Sequence, residues 1–253
     1  MLWLETSQLG PLRVVLRPLT GADETVCGSG GLAQARALVA RLLTPSAEGD
    51  LGAERLDQIS VADFDRILAS LHHTLYGGMC ECRITCTACD EPLEFSVALD
   101  AMLECEGKSP ARDAEPGWFQ LPDGRRFRLP QVGEALSCLT AADLARACTL
   151  DRWGGVDLDR AMAAAGPQAS DVIDTQCPEC GAPQRAHLDL AGFLMQMLVR
   201  ERGFLAREVH LLARSYHWTH REIMALPRED RRTFVRLLHA EAEASTRARR
   251  WIA

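Results

Sequence analysis

Two Cys-x-x-Cys pairs, Cys86/Cys89 and Cys177/Cys180, constrain this 253-residue chain more than any other feature. Two residues between cysteines let a tight turn aim both sulfurs at one point, while amides in the turn stabilise the thiolates. Two such turns supply the four soft ligands of tetrahedral zinc. The flanking residues match as well. Cys86-Thr-Ala-Cys-Asp-Glu-Pro-Leu-Glu-Phe-Ser-Val-Ala-Leu99 aligns without gaps on Cys177-Pro-Glu-Cys-Gly-Ala-Pro-Gln-Arg-Ala-His-Leu-Asp-Leu190, so that Pro92 meets Pro183, Val97 meets Leu188 and Leu99 meets Leu190. A strand-like run precedes each pair, Glu81-Cys-Arg-Ile-Thr85 and Asp171-Val-Ile-Asp-Thr175. Strand, knuckle, strand is written twice. That predicts the two halves of a zinc ribbon, with Cys86, Cys89, Cys177 and Cys180 holding one structural zinc ion (Zn2+). Four thiolates leave no open position for a catalytic water.

A compact ribbon has about 15 to 20 residues between its pairs, whereas here most of ninety intervene. The intervening segment must then be an insertion whose ends return to one place, and loop closure grows only logarithmically with length. The expected fold is α+β: a split zinc-ribbon β core with a helical N-terminal part, an inserted α/β lobe and a C-terminal helical module. The expected divisions are 1–105 (N-terminal strand, helices and first knuckle), 106–170 (inserted hairpin and helices), 171–190 (second knuckle) and 191–253 (C-terminal helices).

The opening residues, Met1-Leu-Trp-Leu-Glu-Thr6, do not read as a signal peptide, and no apolar run approaches the ~20 residues that cross a bilayer. The expected location is therefore cytoplasmic, where ten cysteines read as metal ligands and core residues rather than a disulfide framework. Cys80 and Cys82 read as packed side chains beside the first knuckle, and Cys27, Cys105, Cys138 and Cys148 as isolated core residues. A net charge of -7 argues against a duplex-DNA binder, which replaces counterions with a basic stripe.

The first 76 residues read as strand, helix, helix. Leu12, Val14 and Leu16 alternate along a half-buried strand. A Gly28/Gly30/Gly31 loop opens a helix carrying Leu32, Ala35, Leu38 and Leu42, which stops near Pro45. Ser60 and Asp63 form a loose capping box for a helix whose stripe is Phe64, Ile67, Leu68, Leu71 and Leu75, ended by Gly77 and Gly78. Residues 106–117 read as a linker. Trp118 to Pro130 centres on an Asp123-Gly124 hairpin turn, Thr140 caps a short helix, and Val156 to Ala165 forms another.

From Ala191 onward the pattern is helical. Leu194, Leu198, Leu205, Val209 and Leu212 predict one long amphipathic helix. Thr219 and Glu222 predict a capping box, with Trp218 and Ile223 as its hydrophobic staple. Pro227 opens a final helix on which Phe234, Leu237, Leu238 and Ala242 face one way. Tyr216, Trp218, Ile223, Phe234 and Leu238 are the candidate partner-binding residues. The alternative reading is a zinc-ribbon nucleic-acid-binding regulator with a helix-turn-helix-like module, in which Arg228, Arg231, Arg232 and Arg236 touch phosphate. Glu229, Asp230, Glu241 and Glu243 on the same segment oppose it.

The chain carries no serine nucleophile elbow, HExxH, P-loop or GxGxxG in usable form. His72 and His73 read as surface histidines, and Asp63 and Asp65 as helix-start acids. No catalytic residue is assigned, and the expected protein is not an enzyme.

Several stretches, in their order along the chain, resemble the baseplate hub-assembly family of contractile phage tails (T-even phage type) and phage-tail-like injection systems. Leu12-Arg-Val-Val-Leu-Arg-Pro-Leu-Thr-Gly21 is similar to the family's opening strand, and Asp63-Phe-Asp-Arg-Ile-Leu68 through Tyr76-Gly77 to its central helix and Cys-rich strand. Arg128-Leu-Pro130, Cys177-Pro-Glu-Cys-Gly181 and Glu208 to Leu226 resemble its extended bacterial members. His72-His73 departs from the basic helix ending of the family. The resemblance implies a non-enzymatic structural or assembly protein, an assembly chaperone or a component of the particle, whose partners are baseplate hub, spike or tape-measure proteins.

Overall fold

The computed structural model describes residues 2–28, 30–103, 110–137, 140–150, 156–166 and 172–252. Cys105, Cys138, Asp171 and the first part of the expected linker lie outside them.

The N-terminal part begins with β1 (Leu2–Leu4) paired antiparallel to β2 (Leu12–Val14). Leu12 and Val14 are buried, and Arg13 between them turns out to Asp50 at 2.6 Å. Next comes α1 (Gly21–Val26), which the sequence reading missed. Its signal is the Asp23 carboxylate, which accepts from both the amide and the hydroxyl of Thr20. Then follow α2 (Gly31–Leu42), a 3-10 turn over Ala53–Gln58, and α3 (Val61–Tyr76). Ser60 caps α3 by accepting from the Asp63 amide at 3.0 Å. The Asp63 side chain does not close the expected box. It is fully buried and instead accepts from the amides of Glu5 and Thr6, fastening β1 to the helix start.

His72 on α3 corrects another expectation, because it is fully buried. Its Nδ1 donates to the Gly77 carbonyl at 2.9 Å, which leaves Nε2 to accept from the Cys80 thiol at 3.5 Å. Burial pushes the His72 pKa down, and Gly77, at φ +94°, makes the turn that brings its carbonyl back.

The first hairpin is β3 (Met79–Thr85) with β4 (Pro92–Ala98), followed by α4 (Leu99–Met102). The lobe after it is a three-stranded sheet, β5 (Ala111–Arg112), β6 (Trp118–Gln120) and β7 (Arg126–Arg128), with α5 (Val132–Ser137), α6 (Ala141–Ala147) and α7 (Val156–Ala165). Phe119, Phe127, Leu129, Leu158, Ala161 and Ala165 make a small core of their own that closes on Ala62 of α3. The lobe is docked onto the N-terminal part. Val61 donates to Pro130 O and Val132 to Ile59 O, and Val132 belongs to the main core. Gly117, at φ +74°, runs so close to the Ser7–Gln8 backbone that a Cβ there would sit 2.5 Å from Gln8 N.

The second hairpin, β8 (Val172–Gln176) with β9 (Pro183–His187), leads into α8 (Leu190–Arg200). Leu188, Leu190, Ala191, Leu194, Met195 and Leu198 enter the same core as α2 and α3. The expected long helix is two helices, because the chain turns at Glu201 before α9 (Arg202–Tyr216). At the break the Glu201 carboxylate is held by Tyr76 Oη at 2.8 Å and by Arg228 and Arg232. α10 (His220–Ala225) and α11 (Arg228–Ile252) complete the chain.

Candidate metal centre

The two hairpins repeat each other in detail. Each outgoing strand starts at its proline, with Thr85 opposite Pro92 and Gln176 opposite Pro183. In each turn the first cysteine bonds across it, Cys86 N to Glu91 O at 2.9 Å and Cys177 N to Ala182 O at 3.0 Å. In each, the residue after the second cysteine donates back to the first, Asp90 to Cys86 O and Gly181 to Cys177 O. Those two residues share a left-handed backbone, φ 60° at Asp90 and φ +70° at Gly181. The match continues past the strands: Leu99 and Leu190 are both the first residue of a helix and both buried.

The knuckles meet face to face. The sulfurs of Cys86, Cys89, Cys177 and Cys180 all lie within 4.8 Å of one another. Two pairs across the hairpins, Cys86–Cys180 and Cys89–Cys177, are 3.7 Å apart. That is far beyond the ~2.05 Å of a disulfide, and it matches the edge of a tetrahedron with Zn–S of about 2.3 Å, which is about 3.8 Å. Cys86 and Cys177 are buried and Cys180 exposed, so one side of the cluster faces solvent. Leu93, Ile84 and Phe95 pack beneath it.

The electrostatics also fit a dication. The amides of Ala88 and Cys89 donate to the Cys86 sulfur and hold its pKa down to about 7. At Cys89 the Glu91 amide pulls the same way, but loss of water and three neighbouring sulfurs outweigh it and push the thiol up to about 12. Cys180 is also raised, against the Ala182 amide that donates to it. Thiolates this close repel one another, a conflict that a divalent cation would remove. One polar bridge crosses between the halves. Gln184 on β9 is buried, and its Oε1 accepts from the Thr87 amide at 3.0 Å and the Thr87 hydroxyl at 3.1 Å. Sequence reading missed this residue, whose counterpart in the first hairpin is Leu93. Cys80 and Cys82 stand outside the cluster, and burial pushes Cys80 up to about 12. Cys27 and Cys148 are buried.

The candidate partner-binding residues divide. Tyr216, Trp218 and Phe234 form a half-exposed aromatic cluster: the first two are stacked with centroids 4.8 Å apart, and Phe234 meets Trp218 edge-on at 5.0 Å. Leu238 is half-exposed beyond them. Ile223 is fully buried, so it is a core residue and not a contact surface. The Thr219/Glu222 capping box forms as expected.

The arginines of the helix-turn-helix reading are engaged elsewhere. Arg231 is buried between Glu24 and Glu208, both at 2.6 Å, and Arg228 is buried against Glu201 and over the Tyr76 ring. Arg232 pairs with Glu201 and Glu208, and Arg236 with Glu229. No helix among the described residues is long and apolar enough to cross a membrane. Compared with known proteins, the chain matches no family model, no curated protein and no solved structure.

Proposed function

We propose that this protein is a non-enzymatic assembly or structural protein whose two hairpins are locked by one structural zinc ion into a split zinc ribbon. The observation that carries the reading is the convergence of four sulfurs from duplicated knuckles, with cross-hairpin spacings of 3.7 Å. The ion would be held by Cys86, Cys89, Cys177 and Cys180. It would supply cross-linking rather than chemistry, since four thiolates fill its coordination. Purified protein is expected to carry one zinc per chain by elemental analysis. A thiol-competing chelator should melt at least the hairpin region, because such sites contribute on the order of 10 kcal/mol in small peptides. Metal-free protein with an unchanged melting curve would end the reading.

The setting we propose is the baseplate of a contractile tail or injection machine, in hub or tape-measure assembly. The support is the resemblance of residues 12–21, 63–77, 128–130, 177–181 and 208–226, in order along the chain. The half-exposed Tyr216/Trp218/Phe234 cluster suits a protein contact. Pull-down from a producing strain is expected to recover hub, spike or tape-measure subunits. The nucleic-acid regulator is the weaker reading, since Arg228 and Arg231 are already buried against carboxylates. It would require salt-sensitive retardation of DNA or RNA in a gel.

A further inference from the structure

A groove of about 670 Å³ lies between the two hairpins. Five consecutive β3 residues, 81 to 85, line one wall, and four consecutive residues, 186 to 189, line the other. Side chains alternate between the faces of a strand, so a wall made of consecutive residues is the strand's edge. β4 and β8 contribute one residue each, Phe95 and Ile173.

Both edges are open. Among the described residues β3 pairs only with β4, and β9 only with β8. The bonds Cys86 N to Glu91 O and Leu99 N to Gly78 O set the phase of the first ladder. In an antiparallel pair, bonded and non-bonded positions alternate, so the backbone groups of Glu81, Arg83 and Thr85 point away from β4. By the same argument from Cys177 N to Ala182 O, those of Arg185 and His187 point away from β8. An open edge is a template for another strand, and proteins usually blunt it with charged side chains, proline or a bulge. β3 has no proline and no bulge, its register with β4 running unbroken from Met79 to Thr85, and its two charges, Glu81 and Arg83, are turned to Ser96 and Glu94 of β4. β9 carries a proline only at its first residue, Pro183.

The groove's chemistry narrows the occupant. Cys82, Ile84, Ile173, Leu188 and Phe193 give it apolar side chains. Its acids are engaged within the fold: Glu81 accepts from Ser96 at 2.7 Å and Asp189 caps α8 at the Gly192 amide. Arg200, exposed at the end of α8, has no carboxylate partner among the described residues. We infer that this groove takes an extended segment of a partner protein as an added strand between β3 and β9, with apolar side chains at alternate positions and an acidic residue toward Arg200. This mode of recognition reads backbone along the edges and side chains in the floor. The inference rests on the metal reading in one respect: the ion fixes how far apart the two hairpins stand.

The test uses the full-length, zinc-loaded chain and synthetic peptides of roughly ten residues. One alternates Val with Thr and ends in Asp, one holds the same residues in blocked order, and one is the alternating peptide with every second amide N-methylated. Zinc is measured on the same sample. The alternating peptide is expected to slow amide exchange at Glu81, Arg83, Thr85, Arg185 and His187 by at least about tenfold, and N-methylation to weaken binding by at least about tenfold. Three results overturn the inference with zinc present: no binding at about 1 mM, equal binding of the methylated or blocked peptide, or binding that leaves those amides unprotected. Protection of the amides without peptide, in a sample that sediments as a dimer, would overturn it in favour of a second copy. A chain that takes up no zinc when offered it, yet binds the alternating peptide with those amides protected, would sink the metal reading and leave the groove standing.

Discussion

Arg231 of α11 and Glu24 of α1 are 207 positions apart in sequence and meet at 2.6 Å, with side chains 1% and 3% exposed. Glu208 of α9 takes the other side of the same guanidinium. Three helices therefore converge on one buried cation, and the C-terminal module is tied to the N-terminal part by charge as well as packing. Replacing Arg231 by Met leaves two carboxylates facing each other with little water, which costs about 3–5 kcal/mol. Adding Glu24→Gln to Arg231→Met should recover part of that loss. A double-mutant cycle by urea denaturation should give a coupling of about 1–3 kcal/mol. Additive losses would show that the pair is not a unit.

Asp23 makes the fold sensitive to acid. Burial alone would raise its pKa, but the Arg17 guanidinium and the Thr20 amide and hydroxyl outweigh burial and hold it at about 2. A carboxyl depressed in the folded state contributes stability that is full above its unfolded value near 4 and is lost as pH falls toward 2. The contribution is about 2 kcal/mol. Denaturation midpoints at pH 5 and pH 2.5 should therefore fall further for the native chain than for Asp23→Asn. Equal falls would show that Asp23 is not the group responsible.

Gln184→Leu places in the second hairpin the residue type that the first carries at Leu93. It removes the acceptor of the Thr87 amide and hydroxyl, a net loss of about 0.5–1.5 kcal/mol because Thr87 is exposed to water. Groups just outside a metal's ligands typically change affinity by about 10–100-fold. Competition with a chromogenic chelator should show zinc held in that range more weakly, at unchanged stoichiometry. Unaltered affinity would mean the bridge does not tension the two halves.

The left-handed residues after the second cysteine of each knuckle give paired substitutions of opposite sign. An L side chain in that conformation costs about 1 kcal/mol relative to glycine. Asp90→Gly should therefore stabilise the holo protein by about that amount, and Gly181→Ala should destabilise it by a similar amount. Thermal denaturation at saturating zinc reads both. Shifts of the same sign would contradict the equivalence of the two turns.

Local pattern made half of this architecture legible. Cys-x-x-Cys spacing, Pro92 and Pro183, Leu99 and Leu190 all encode backbone geometry within a few residues, and the duplicated hairpins follow from them. So do the Thr219/Glu222 capping box and the helix over Val156–Ala165. What escaped depends on distant partners. α1 spans only 6 residues, too few for a periodic stripe. Glu201, where the helix breaks, meets Tyr76, Arg228 and Arg232, which no window of sequence contains together. Histidine and arginine carry a prior for the surface, and only the meeting of His72 with Cys80, or of Arg231 with two glutamates, reverses it. Gln184 was invisible for the same reason, since its importance lies in Thr87 across the other hairpin.

The two halves of the cysteine cluster also set an order of events at the ribosome. Their cross-hairpin contacts join residues 88 and 94 positions apart. At roughly 5–20 residues per second, the first hairpin emerges on the order of 5–20 s before its complement. Through that interval Cys86 and Cys89 form a half-filled nest, exposed to oxidants and to stray soft metals. On the proposed zinc reading, capture of the ion waits for the second hairpin, so it falls among the later steps of biogenesis, just ahead of α8 to α11 in the order of synthesis.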